Sequence, residues 1–346
     1  MSRWKGFTIV GVGAALALLL GLALRQRHGT EQHAPAAPRT FSGTVSIGIV
    51  TWPGYLALLV ADQAGYFRDA GVEVTIKRYA SLGEVSNDYV AGKLISRADL
   101  TLDAVNERLG GLAHQIVLVI DHSNGADMIL AGPGVATLQE IKDKRVAFEA
   151  GTLEEFFLDW ALRKNNLTLA DVKPVFADPE KAAKLLIDGQ VDVAVTYEPS
   201  ASQAVAAGAH ALFSSAQAPG LITDVLTFRS EFIERYPETV AAITRAYFRA
   251  IEFWKQHPEE ADRMVAKVYG QTEHEIASQL QGVRVVDLAG NVQAFTPTDA
   301  LESLHGHLIQ LAAFLQRQGR EQVKTIDVDA MLEPRFVRAL AEERGH

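Results

Sequence analysis

The chain contains no cysteine. Disulfides, thiolate nucleophiles and cysteine-based zinc sites are therefore excluded. The absence leaves the compartment open, because an oxidising one permits disulfides without requiring them. Basic residues are outnumbered: 33 Lys and Arg against 42 Asp and Glu give a formal charge of −9. Beyond residue 43 the imbalance grows to 28 against 41, a net of −13. An acidic body without a basic stripe argues against a nucleic-acid partner. No phosphate loop, HExxH motif or Ser/His/Asp ordering is present. No cofactor and no metal are expected. The ten histidines are scattered. His305 and His307 flank Gly306, point apart on a helix and read as surface residues. His122 ends a strand and reads as a core or hinge residue.

What is present is a folding chain of 346 residues, 48% hydrophobic, enough for about two domains and a core without covalent staples. Its N-terminus stands apart. Arg3 and Lys5 precede an uncharged, mostly apolar run from Phe7 to Leu24, and Arg25, Arg27 and His28 follow. Residues 1–24 read as a membrane anchor or a cleaved signal, with Ala34-Pro35-Ala36 as a conceivable cleavage point. The absence of a following cysteine rules out a lipoprotein anchor. Residues 25–43 are polar and rich in Pro, Gly and Ala, as a flexible linker would be. In either case the body of the protein is expected outside the cytoplasm, in the periplasm or on the outer face of the cytoplasmic membrane.

From residue 44 strands alternate with helices. TVSIGIVT (44–51), VEVTIKRY (72–79), ADLTL (98–102) and IVLVID (116–121) read as strands of a first cycle. The last is an unbroken apolar run of the kind found in parallel sheets. RVAFEA (145–150), VKPVFA (172–177) and VDVAVTY (191–197) form a second cycle. Ser81 reads as a helix cap, and Thr152 with Glu155 as a capping box. Beyond residue 230 the pattern is helical, with Val240, Ile243, Tyr247, Ile251 and Trp254 on one face. The class is α/β with parallel strands.

Four stretches carry a resemblance: IVTWPGYLALLVADQAGYFRDAGVEV, HSNGADMILAG, IKDKRVAFEAGT and GQVDVAVTYEPSASQAV. In this order and spacing they resemble ABC-transporter substrate-binding proteins of the nitrate/sulfonate/taurine/pyrimidine-precursor group. The resemblance implies a two-lobed type II periplasmic-binding-protein fold with a helical C-terminal tail. Lobe 1 would comprise 44–126 plus 226–346, and lobe 2 would comprise 127–225, with crossovers at Asp127–Ala131 and Thr223–Phe228. A small molecule would be trapped between the lobes and delivered to an ABC permease and its ATPase by a monomeric binding domain.

In open α/β sheets, ligands sit beyond the carboxyl ends of strands. That rule selects Trp52 and Tyr55 as aromatic walls around the Pro53-Gly54 turn, whose backbone N–H groups would face the ligand. Trp52 packed into the core under the turn is the competing reading. Further candidates at strand ends are Ser81, Asp103, Ser123, Asn124 and Asp127, then Glu149, Gly151, Thr152, Tyr197, Glu198 and Asp224. Ser81, Asp103 and Thr152 are equally candidate caps, Asp127 a hinge clamp, and Glu198 a structural residue. The acidic set, with Arg78 the nearest base, favours a nitrogen-bearing and pyrimidine-like ligand over a sulfonate or taurine-like one. Two rivals remain: a membrane-tethered ligand sensor with the same binding domain, and an exported enzyme on the same fold. The docking face would carry acid, with Glu154–Glu155 and Asp69 as candidates.

Overall fold

The computed structural model describes Met1 and residues 40–345. The anchor or signal and most of the linker lie outside the described residues. Among the described residues no helix is long and apolar enough to cross a membrane.

The strands in chain order are β1 (Thr44–Ile49), β2 (Glu73–Arg78), β3 (Ser96–Leu100) and β4 (His114–Ser123). Then come β5 (Asp127–Ala131), β6 (Arg145–Phe148), β7 (Lys173–Phe176), β8 (Val193–Tyr197) and β9 (His210–Ser214). Last are β10 (Thr223–Arg229) and β11 (Val283–Val285). They build two sheets, ordered β11-β4-β10-β3-β1-β2 and β7-β6-β8-β5-β9.

Both sheets are mixed. β1 runs parallel to β2 and β3, and β6 runs parallel to β7 and β8. β10 is antiparallel to β3 and β4, β11 is antiparallel to β4, and β5 is antiparallel to β8 and β9. The expectation of parallel neighbours for the 116–121 run is thus corrected. Residues 116–123 of β4 are buried throughout because helices cover the sheet, so their apolarity reports burial and not strand direction. β9 and β11 were also not anticipated. β9 is a half-exposed edge strand and β11 has three residues, too short for a periodic signal.

The chain passes between sheets at residues 124–126 and 215–222. Asp127–Ala131 and Thr223–Phe228, expected as crossovers, are strand residues, each pair-bonded within one sheet. An extended apolar segment reads alike as hinge or strand, and only its pairing partners decide. The two real connections are tied together. The Ser123 and Ser215 hydroxyls share a hydrogen bond of 2.7 Å, and the Gly125 N–H donates to Ser215 Oγ at 2.7 Å.

Local capping follows the sequence in part. Ser81 Oγ accepts from the Glu84 N–H, as a cap should. Thr152 does not form the expected box. Its hydroxyl donates to the Glu149 carbonyl and to Glu154, and Glu155 instead accepts from the Gly151 N–H at 2.6 Å. His307, expected at the surface, is buried with its Nε2 against the Thr101 hydroxyl. Its helix, Leu304–Arg317, packs on Thr101–Leu109, so the inner face takes whatever residue the spacing puts there.

Candidate functional site

Where the two sheets meet, a pocket opens between their strand ends. Trp52 and Tyr55 come from the turn after β1, Asp224 from β10, Asp127 from the start of β5, and Tyr197 from the end of β8. Val50, Leu82, Leu100, Leu153 and Ile222 complete an apolar lining. Trp52 is 7% exposed and meets the Tyr197 ring edge-on, with centroids 6.2 Å apart. One ring belongs to each sheet, so the pair bridges the gap between them.

Gly54 is required for a reason the sequence did not disclose. A Cβ there would lie 1.9 Å from Asp121 Oδ2 and 2.6 Å from Trp52 Nε1. The turn presses directly on the Asp121 carboxylate, which accepts from the Trp52 indole N–H at 3.2 Å. The Trp52 carbonyl is held from outside by the Tyr269 hydroxyl at 3.1 Å. Trp52 is therefore both things considered for it: seated in the core by its N–H, and a wall of the pocket by its face. The Tyr55 hydroxyl donates to Asp224 Oδ1 at 2.6 Å.

The electrostatics are one-sided. Burial pushes Asp121 up to about 8, with Asp127 adding to the effect against the Trp52 hydrogen bond. Burial, reinforced by Glu198, pushes Asp127 up to about 7. Asp224 is driven well above the carboxylate range by burial and then by Asp121. Glu154, at the start of the neighbouring helix, is pushed up to about 8 by burial. None of the pocket's lining residues is cationic. Arg97 is engaged with Asp99 and Glu107, and Arg78 donates to the Val268 carbonyl at 2.7 Å. One oxygen of Asp127, Oδ2, is buried without a protein partner. A buried carboxylate in this state lacks one stabilising donor.

Of the thirteen candidates, Trp52, Tyr55, Asp127, Tyr197 and Asp224 converge on this pocket. Ser123 is buried beside it and clasps the two connections, also accepting from the Asp127 N–H at 3.3 Å. The other seven are not lining residues. Ser81 is an exposed cap. Asp103 lines a separate crevice next to Arg97. Asn124 is exposed, with its N–H bonded to the Gly282 carbonyl. Glu149 is half-buried at the end of β6 and is raised by burial, then by Asp178. Gly151 takes a φ of +78°, a left-handed turn that suits glycine. Thr152 is engaged locally, and Glu198 accepts from the Ser202 N–H and hydroxyl, holding the next helix.

Asp121 and Glu154 were not foreseen. Asp121 hid inside an apolar strand. Glu154, a candidate for the acidic docking face, is instead buried, because Leu158 and Ala161 follow it on the same helical face. That spacing was the available signal.

The model of the NMT1/THI5-like family matches residues 52–261, and the chain belongs to this family. The resemblance read from the four sequence stretches stands. No curated protein sequence matches. Among solved structures, the periplasmic aliphatic sulphonate-binding protein SsuA from Escherichia coli is similar at 17% identity and a TM-score of 0.69, covering 84% of this chain and 97% of its own. The periplasmic nitrate-binding protein NrtA from Synechocystis gives 15% and 0.67, covering 89% and 90%. The desulfurization enzyme DszB gives 16% and 0.66, covering 89% and 100%. Such likeness establishes the two-sheet binding-protein fold, which carries both binders and a catalyst.

Proposed function

We propose that this chain is the extracytoplasmic solute-binding protein of an ABC uptake transporter. Its ligand is a small nitrogen-bearing organic molecule, cationic or with ring N–H donors, held between a lobe built on 44–123 plus 223–345 and a lobe built on 127–214. The observation that carries this is the pairing of Asp127 and Asp224, from different sheets, in one aromatic-walled pocket without a cation. A cation or N–H donor would supply the partner that Asp127 Oδ2 lacks. The ring faces of Trp52 and Tyr197 suit a flat or cationic group. A sulfonate or nitrate would meet carboxylates and no compensating charge. Ligand contacts to both lobes favour the closed state by differential affinity, after which the closed face engages the permease and its ATPase. The SsuA and NrtA likenesses support the uptake reading and the location outside the cytoplasm.

A thermal-shift and calorimetric panel of pyrimidines, amines, taurine, alkyl sulfonates and nitrate tests it. A ligand at a hundred times its dissociation constant adds about 2.7 kcal/mol of stability. The expected result is a rise with ring amines or cations, and tighter binding at pH 8 than at pH 6 as Asp127 and Asp121 ionise. A rise with sulfonate or nitrate alone overturns the ligand assignment. Recovery of the bound compound chemically altered would favour the enzyme reading, for which the carboxylates poised near neutrality are the supporting observation.

A further inference from the structure

Arg97 on β3 lies at the centre of a buried polar cluster. Its Nη1 donates to Glu107 Oε1 at 2.6 Å, and its Nη2 donates to Asp99 Oδ1. Ser86 Oγ also donates to Glu107 Oε1, at 2.6 Å. These donors occupy one oxygen of each carboxylate. The other oxygens, Asp99 Oδ2 and Glu107 Oε2, are buried without hydrogen-bond partners, and so is His114 Nδ1. One ligand atom from each of Asp99, Glu107 and His114 lies within 4.8 Å of the others.

The histidine's other nitrogen decides what these atoms are. His114 Nε2 lies 2.9 Å from the Ala104 carbonyl, an acceptor only, so Nε2 carries the hydrogen. With the hydrogen on Nε2, Nδ1 of the neutral ring is a bare lone pair. It faces Glu107 Oε2 at 3.4 Å. Three acceptor atoms that Arg97 and Ser86 leave unused thus converge, and a bound cation would serve all three.

We propose that Asp99, Glu107 and His114 form a site for a divalent transition-metal ion, with zinc as the best fit. Zinc bonds of about 2.0–2.2 Å in a tetrahedral array place ligands about 3.4 Å apart, the His114–Glu107 separation. The surroundings match what orients metal ligands elsewhere: a histidine donating its second N–H to a carbonyl, and carboxylates held by further donors. Glu107 borders a crevice lined by Ser86, Asp103, Asn106 and Gly110, which gives an entry path and room for a water as fourth ligand. The ion would fasten β3, the helix Thr101–Leu109 and β4 to one another.

The test uses the full chain, stripped with chelator, reloaded with zinc and dialysed. The expected result is one zinc retained per chain, a melting temperature that rises with zinc and falls on chelation, and tetrahedral visible bands on cobalt substitution. His114→Gln and Glu107→Gln should each lower retention at least tenfold, whereas Asp127→Asn should keep the metal. The cobalt spectrum is read on the unsubstituted protein, so a variant that fails to fold does not leave the result open. No retained metal and no cobalt bands would mean that a proton shared between Glu107 and His114 joins the cluster, and the proposal falls. Equal retention by both variants and the parent would place the zinc on other histidines, with the same consequence.

Discussion

At the scale of single residues, the pocket rests on aromatic groups bonded to buried acids. Replacing Tyr55 with Phe removes the donor to Asp224 and leaves a buried carboxyl oxygen short of a partner. The expected loss is about 1–3 kcal/mol in urea unfolding. Trp52→Ala should cost about 3–5 kcal/mol of stability through the cavity it leaves. It should also weaken ligand binding by more than tenfold in calorimetry. Lost stability with unchanged affinity would make Trp52 purely a core residue. The aromatic half of the site was legible in the sequence because a strand ending in Trp-Pro-Gly-Tyr is an unusual way to enter a helix. The acid beneath it was not. Asp121 follows five apolar residues, and nothing in a linear pattern announces that the strand's last turnward carboxylate lies under Gly54.

At the scale of elements, two glycines separate steric exclusion from backbone strain. Gly54→Ala would drive a methyl group into Asp121 and the Trp52 indole, so the buried Trp52–Asp121 pair would have to shift. Gly151 sits at φ +78° with open space around its missing side chain. Gly151→Ala should therefore cost only about 1–2 kcal/mol, the penalty of a left-handed residue, and should leave affinity nearly intact. Gly54→Ala should lower both stability and affinity. Melting and calorimetry on the two variants check the contrast, and similar losses of affinity would refute it. Strand and helix identities were largely readable from residue 44 onward, since period and caps are local signals. Strand direction, the edge strands β9 and β11 and the true connections were not, because they depend on partners distant in sequence.

At the scale of the whole molecule, buried ionisable groups set opposing pH dependences. Asp121 at about 8 and Asp127 at about 7 hold protons in the folded state that the unfolded chain releases near pH 4. Stability from this source falls as pH rises through that window, by at most about 1.4 kcal/mol per unit for each group, and is level above it. His122 at about 3 and His307 at about 4 act in the other direction. They remain neutral when folded, so acidification below about 6.5 favours the unfolded chain. Asp121→Asn keeps an acceptor for Trp52 and removes one titration. Its stability relative to the parent should rise steadily from pH 5 to pH 8 in chemical denaturation. A difference that stays constant across that range would mean Asp121 does not titrate there.

The edge-on meeting of Trp52 and Tyr197 also gives the molecule a built-in optical gauge. Trp52 is the one tryptophan among the described residues that lines the pocket, with its indole shielded from water and its N–H against a carboxylate. Separation of the two sheets would hydrate that indole and shift its emission to longer wavelength. Closure on a ligand would shift it back. Stopped-flow fluorescence could then time lobe closure without any attached label.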